Sequence, residues 1–391
     1  MSALQGCQVL DLGIITAGAA TSAILADLGA EVIKIESPTY KDPFRRWTGE
    51  TLPGEHPDLP PFFRMTNRGK LNVGIDLKSA AGREIFLELV AASDVVVENF
   101  SRGVLQRLRL DYPALKAANP RIILASISSQ GDDGPDAQYA SFGSTLEAMA
   151  GLAAITGYED GPPVVSGIEL NYPDQVVAIF AASMVATAWL ATKGQAAGGV
   201  HLDLSQRELT SFLCGEAFVA PGDARRGGNR QADGGVQDCF RARDGLWVAV
   251  TATSQHRNEL ERLVGQGADA LAQWIGALDV HAAVASLQAA GIAAAAVLGG
   301  GGVLAERGKG WVYALRTGSD GDLVKGGLFL DETAAPVSDA PASLLGAHTR
   351  EVLARVCGYD EARIDALVAS GAIAEADGTA PAPHREPRRS P

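Results

Sequence analysis

Residues 8–36 read QVLDLGIITAGAATSAILADLGAEVIKIE, and this stretch decides the fold. QVLDL at 8–12 is an apolar run short enough to be a buried strand. A turn of small residues follows, and GAATSAILADLG carries helical spacing that stops at Gly29. EVIKIE then alternates into a second strand ending at Glu36. A strand, a turn, a helix and a strand in about 30 residues make a βαβ unit, whose two strands run parallel.

The same grammar repeats downstream. Asn72 to Asp76 reads as a strand and Ala80 to Ala91 as a helix, and VVVEN at 95–99 and RIILASI at 121–127 are further strands. Strands alternating with helices over this length predict a doubly wound, Rossmann-like α/β domain. Residues 215–240 change character: GEAFVAPGDARRGGNRQADGGVQDCF is rich in glycine and charge and reads as linker and loop. A second α/β pattern follows, with LWVAVTA as a strand, 257–265 and 268–290 as helices, and AAAAVLGG as a strand or turn. The expected organisation is therefore a large Rossmann-like domain over 1–215 and a linker with a smaller α/β domain over 216–322. A C-terminal segment at 323–375 carries one or two helices, and 376–391, ADGTAPAPHREPRRSP, is expected to be disordered.

The first turn invites a nucleotide reading, since a glycine-rich turn entering a helix can cradle phosphate and Glu36 lies where a ribose-binding acid would sit. The fingerprint GxGxxG is absent, however; Gly13 and Gly18 are separated by IITA. A nicotinamide dehydrogenase is disfavoured, and Glu36 reads equally well as a solvated strand end.

At 391 residues the chain is too long for one ordinary core. Its formal net charge of −13 disfavours tracking a nucleic-acid backbone, although locally gathered arginines and lysines can still hold a phosphorylated small molecule. Cys7, Cys214, Cys239 and Cys357 form no CxxC pair and no zinc spacing with histidine, so no metal is expected and the cysteines read as buried free thiols of a reducing cytoplasm. The N-terminus MSALQGCQVLDLG lacks the pattern of a signal peptide. Val176 to Ala191 is apolar throughout but only 16 residues long, whereas a spanning helix needs about 20. It reads as a buried core helix preceded by Asp174, a residue type that caps helices.

Taken in order, several segments resemble the family III CoA-transferases, the group that includes formyl-CoA transferase and carnitine CoA-transferase. They are the 8–36 stretch, NRGKLNVGIDLKSAAG, VVVENFSRGVLQRLRLDYPALKAANPRIILASISSQGDDGP, TGYEDGPPVVSG, NYPDQ with the long apolar helix, and GGVHLDLSQRE. CFRARDGLWVAV, LQAAGIAAAAV and LLGAHTREVLARVCGYDEARIDALVASGAI continue the match, which spans almost the whole chain.

The resemblance implies a Rossmann-like large domain completed by the C-terminal segment. It also implies an interlocked homodimer with active sites between the large domain of one chain and the small domain of its partner, or else a heteromer with a related subunit. It makes Asp174 the nucleophile, a role compatible with helix capping, since the helix dipole favours an ionised carboxylate there. Gly227, Gly228, Gly234 and Gly235 match the glycine loop that would offer N–H groups to an oxyanion, Gly234 and Gly235 being the catalytic pair, or else they form a flexible surface loop. Asn99, Phe100 and Arg102 match one CoA-contacting segment, Arg68 and Lys70 another, and Arg45 or Arg46 a phosphate-binding arginine; each cation could instead be solvated surface. Thr16 stands where some members carry a glutamine that holds the aspartyl intermediate, and Phe142 and Gly143 replace a tyrosine and an acid. The small domain also looks short between 257 and 290. Coenzyme A or an acyl-CoA is implied as substrate, with a small carboxylic acid and no permanently bound cofactor.

Two rivals remain. An acyl-CoA racemase of the same superfamily would need a histidine ahead of the aspartate, but His56, His201, His256, His281, His348 and His384 leave 57–200 without one. A catalytically silent, acyl-CoA-binding subunit is the other, against which Asp174 argues.

Overall fold

The computed structural model describes residues 2–46, 56–167, 171–193, 198–219, 226–229, 231–267, 269–305, 315–317, 323–325 and 340–376. In chain order the strands are β1 (Gln8–Asp11), β2 (Glu31–Glu36), β3 (Lys70–Ile75), β4 (Val95–Glu98), β5 (Ile123–Ser128), β6 (His201–Ser205), β7 (Val236–Arg241), β8 (Trp247–Ala252), β9 (Ala293–Ala296), β10 (Leu315–Thr317), β11 (Leu323–Lys325) and β12 (Ile373–Ala374).

The first βαβ unit forms as its sequence dictates. β1 and β2 pair in parallel, with Leu10 opposite Ile33, and the helix Ala17–Asp27 crosses between them. The sheet continues in the order β12-β3-β2-β1-β4-β5-β6, parallel except for β12 against β3. The run 3-2-1-4-5-6 within it is the doubly wound order, and its reversal between β1 and β4 opens a crevice at the carboxyl edge of the sheet.

Apolar clusters cover both faces. Leu10, Ile33, Val73, Phe86, Leu124 and Leu353 pack in one, and Val9, Leu25, Val97, Ile123, Val185 and Trp189 in the other. By contacts the chain divides into two compact units. One comprises Met1–Ala150, Ser166–Gly215 and Tyr313–Pro391, the other Gly151–Val165 and Glu216–Val312. The second unit holds the antiparallel sheet β7-β8-β9 around Val248, Val250, Ile275 and Leu287.

Several expectations need correction. The stretch expected to be loop ends in a strand, β7, which alternates poorly in polarity because its side chains are largely exposed. The expected helix 268–290 is two helices, Ala270–Gly276 and Val280–Ala289, because Asp279 caps the second by accepting from Ala282 N–H. The long apolar helix runs Tyr172–Lys193 and is not wholly buried. Val177, Ala181, Val185 and Trp189 line its core face, at four-residue spacing, while Ile179, Phe180 and Leu190 face outward. It is long and apolar enough to cross a membrane by length and composition, yet its inner face packs on β5 and on the helix Ala17–Asp27. The cysteines are free, but Cys239 is exposed and Cys357 half-buried rather than buried. Residues 377–391 of the expected disordered tail lie outside the described residues.

Candidate active site

The turn after β1 is held from within. Gly13 N–H donates to Asp11 Oδ1 (2.7 Å) and Ile14 N–H to Asn99 Oδ1 (2.8 Å), while Asn99 Nδ2 returns to Ile14 O (3.0 Å). Asn99, just beyond β4, thereby bridges the two lips of the crevice. A Cβ at Gly18 would lie 2.6 Å from Asn99 Oδ1, and one at Gly13 would meet the backbone of Gly18, so both glycines serve close packing of the turn. Ile15 adopts φ 59°, a left-handed conformation that a β-branched residue rarely takes. Buried Thr16 follows at the helix start, its side chain making no cap bond.

Beneath this turn lies a network of buried charge. Glu36, expected at a solvated strand end, is 3% exposed and accepts from Arg45 Nε (2.7 Å), Arg45 Nη2 (2.9 Å) and Asn72 Nδ2 (2.9 Å). Burial pushes its carboxyl upward, but Arg45, with Lys34 and Asn72, overrides this and holds it at about 2. Arg45 also donates to Asp58 O and Ser343 O, and its guanidinium lies 3.8 Å from the centre of the Phe63 ring. Lys70 Nζ donates to Asp11 Oδ2 (2.7 Å), Ala19 O (2.8 Å) and Asn67 Oδ1 (3.0 Å). Burial, aided by Lys34 and opposed by Asp11, lowers its ammonium to about 8. Lys34 bridges Gly13 O (2.7 Å) and Asp42 (3.2 Å), and Arg68 pairs with Asp27. Arg45, Arg68 and Lys70 therefore have their charges engaged inside the fold. Arg46 and Arg102 are exposed, and Phe100 is half-buried beside Asn99.

Asp174 stands elsewhere on the same unit. It is the third residue of the long helix rather than its cap; the cap-like position before the helix belongs to Asn171, at φ 47°. Asn171 Nδ2 donates to Asp174 Oδ2, and Gln206 Nε2 donates to Asp174 Oδ1. Burial pushes the Asp174 carboxyl up to about 6, against the two amides that favour its charged form. At pH 7 the ionised form still dominates, about tenfold.

The approach to Asp174 is pinned as well. Ser166 Oγ donates to buried Glu147 and accepts from Tyr172 N–H (3.1 Å) at the helix start. A Cβ at Gly143 would collide with the Asn171 side chain, which accounts for glycine there.

Gly227, Gly228, Gly234 and Gly235 belong to the second unit. Gly234 takes φ 72° and donates its N–H to Gln231 O (3.1 Å); Gly235 N–H goes to Asp233 Oδ1 (2.9 Å). Among the described residues, no His/Cys/Asp/Glu group has the geometry of a metal site. Sequence reasoning missed Asn171, Gln206, Ser166 and Glu147. Asn171 had a signal, since Asn and Asp three apart at a helix start face each other. Gln206 had a weaker one, its place directly after a sheet strand.

The sequence matches the family model for CoA-transferase family III over residues 4–349. It is 37% identical over 249 residues to the acetyl-CoA:oxalate CoA-transferase of Acetobacter aceti, covering 62% of this chain and 62% of that one. It is 33% identical over 257 residues to the alpha subunit of a succinyl-CoA–L-malate CoA-transferase of Chloroflexus aurantiacus, covering 64% of this chain and 58% of that one. The chain thus spans about three fifths of the length of these curated relatives (62% and 58%). A solved structure of a CaiB/BaiF family protein from Brucella suis superposes with a TM-score of 0.80 at 25% identity, covering 90% of this chain and 99% of that one. With the doubly wound sheet and nearly the whole chain matched, the protein belongs to CoA-transferase family III.

Proposed function

We propose that this chain moves coenzyme A from an acyl-CoA donor to a carboxylic acid acceptor, with Asp174 as covalent nucleophile. The observation that carries this is a partly buried carboxylate whose two oxygens are held by neutral amides, at the start of a long helix. Such a group is oriented and ionised without being tied to a cation, which is what attack on a thioester requires.

An Asp174 oxygen adds to the thioester carbonyl, the C–S bond breaks, and the electron pair leaves on sulfur as CoA thiolate, giving a mixed anhydride. The thiolate attacks the aspartyl carbonyl and expels the donor carboxylate, leaving an aspartyl-CoA thioester. The acceptor carboxylate attacks that thioester and releases the thiolate again. Attack of the thiolate on the acceptor acyl carbon then restores Asp174 and yields the new acyl-CoA. Coenzyme A is substrate throughout.

Asn99, Phe100 and Arg102 are the proposed CoA contacts, because Asn99 braces the crevice where ligands of doubly wound sheets bind. Arg46 is a second exposed cation for phosphate. Arg45 and Lys70 are engaged beneath the first turn and Thr16 starts its helix, whereas Arg68 is tied to Asp27 at the far end of that helix; all four are kept as candidates on the matching of segments alone. Gly234 and Gly235 are assigned to the site on the matching of segments alone. The unit carrying Asp174 is taken as the CoA-binding domain and the other as the smaller domain. Outward-facing Ile179, Phe180 and Leu190 support a dimer in which a second chain covers that helix face. A heteromeric assembly is the second reading, favoured by the relative named as an alpha subunit. A cytoplasmic location fits four free cysteines.

The test is chemical. The purified protein is screened with succinyl-CoA, acetyl-CoA and a panel of acids, reading acyl-CoA products by mass spectrometry. Hydroxylamine added with the acyl-CoA donor should leave a hydroxamate on Asp174. Asp174→Asn should fold and bind CoA yet lose transfer by about 10³-fold or more, the scale of removing a covalent nucleophile. A label on Glu169, which lies outside the described residues, or substantial activity in Asp174→Asn, sinks the mechanism.

A further inference from the structure

We infer that Gln206 is a positioning residue, the anchor that fixes the Asp174 carboxylate relative to the sheet; the inference rests on Asp174 being the nucleophile. Gln206 opens the helix Gln206–Leu213 directly after β6, at the carboxyl edge of the sheet. Its backbone cannot drift. Ser205 caps the helix by accepting from Glu208 N–H (3.2 Å), Thr210 Oγ1 donates to Gln206 O (2.7 Å), and Arg207 N–H donates to Ser129 O (3.1 Å). Gln206 is 7% exposed, and its amide Nε2 reaches Asp174 Oδ1.

The second amide, Asn171, lies on the same turn as Asp174 and travels with it. Gln206 comes from a different element, 32 residues later, so it alone of the two ties the carboxylate to the sheet edge. Two donors, one on each oxygen, fix the carboxylate plane and so the direction of attack. The neutral amide matters. An arginine in its place would hold the carboxyl low, as Arg45 holds Glu36, and blunt its nucleophilicity.

The charged groups around the pair are turned elsewhere. Glu147 on the helix Gly143–Met149 bonds Ser166, Arg207 bonds Asp136, and Glu208 is exposed. Asn171 apart, the donor that Gln206 supplies is therefore what opposes burial at Asp174.

The experiment replaces Gln206 by Met in the full chain. With succinyl-CoA as donor, the single-turnover acylation rate trapped by hydroxylamine should fall about 10- to 100-fold, with KM nearly unchanged. Its acid limb should move up by about one pH unit, since a donor to the charged form is lost. A purely structural role would lower the yield of folded protein but leave the limb in place. Gln206→Glu keeps the shape and puts a like charge beside Asp174, so its limb should rise further; it carries the test if Gln206→Met does not fold. Independently of activity, carbon-13 NMR of the aspartate carboxyls, with Asp174→Asn assigning the resonance, reads the titration of Asp174 directly. A rise of about one unit in Gln206→Met supports the anchor even if another residue is the nucleophile. An unmoved Asp174 titration in the variants overturns it, whatever the transfer assay shows.

Discussion

Glu36 and Asp174 are both carboxylates drawn from water on one compact unit, and the fold drives them in opposite directions. Glu36 sits under the first turn with Arg45 on both of its oxygens and is held at about 2. Asp174 sits at a helix start with one amide on each oxygen and is pushed up to about 6. Burial acts on both alike. The difference is the partner: a cation fixes the charge permanently, whereas an amide orients it and leaves it reactive. A cation-bound carboxylate builds shape, and an amide-bound one is available for chemistry.

The hardest way to break that contrast is to remove the Glu36 charge. Glu36→Gln leaves Arg45 buried without its counter-ion, a change expected to cost about 3–5 kcal/mol of stability. The measurement is urea unfolding at neutral pH. In the wild type, a carboxyl depressed in the fold contributes stability that is present above its unfolded value of about 4.5 and lost as pH falls toward 2. Glu36→Gln should flatten that acid dependence. A variant within about 1 kcal/mol of wild type would show that the pair is marginal.

A smaller effect separates engaged cations from free ones. Arg45, Arg68 and Lys70 hold internal carboxylates, whereas Arg102 is exposed beside the crevice. Arg102→Ala should weaken CoA binding by about 10- to 100-fold, the size of a charge-assisted phosphate contact, without altering the melting temperature. Calorimetric titration with CoA checks this. Unchanged affinity removes Arg102 from the site and returns the question to Arg46.

This contrast also marks how far the sequence could be read. The sheet was legible because buried parallel strands are short apolar runs, as in QVLDL and VVVEN, bounded by turns. Asp174 was legible only through the order of segments around it. The engagement of Arg45 was not, because Glu36, Phe63 and Ser343 come to it from separate parts of the chain. A buried cation looks the same as an exposed one until its partner is placed. Gln206 was hidden for the same reason, being 32 residues from the carboxylate it holds. β7 escaped because a largely exposed strand has no apolar period to show.

Glu98 is a third kind of buried carboxylate and sharpens the comparison further. It ends β4, is 6% exposed, and accepts from Phe100 N–H (2.8 Å) and from Ser126 on β5, whose hydroxyl is 2.9 Å from His201 Nε2. Burial raises it to about 7, with Asp132 and Asp203 adding to the rise and the Phe100 and Ser126 bonds opposing it. A carboxyl raised in the fold binds its proton more tightly there than in the unfolded chain. Its favourable share of stability is therefore present below about 4.5 and lost as pH climbs through about 7. Glu98→Gln keeps an oxygen to accept from Phe100 N–H and removes the ionisation. Against wild type it should be more stable at pH 8, with the gap narrowing by about 2 kcal/mol on going to pH 5. Urea midpoints at pH 5, 6.5 and 8 give the comparison. Parallel profiles for the two proteins would mean that Glu98 titrates as an ordinary carboxylate, and that burial without a cation is not enough to hold a proton on this sheet edge.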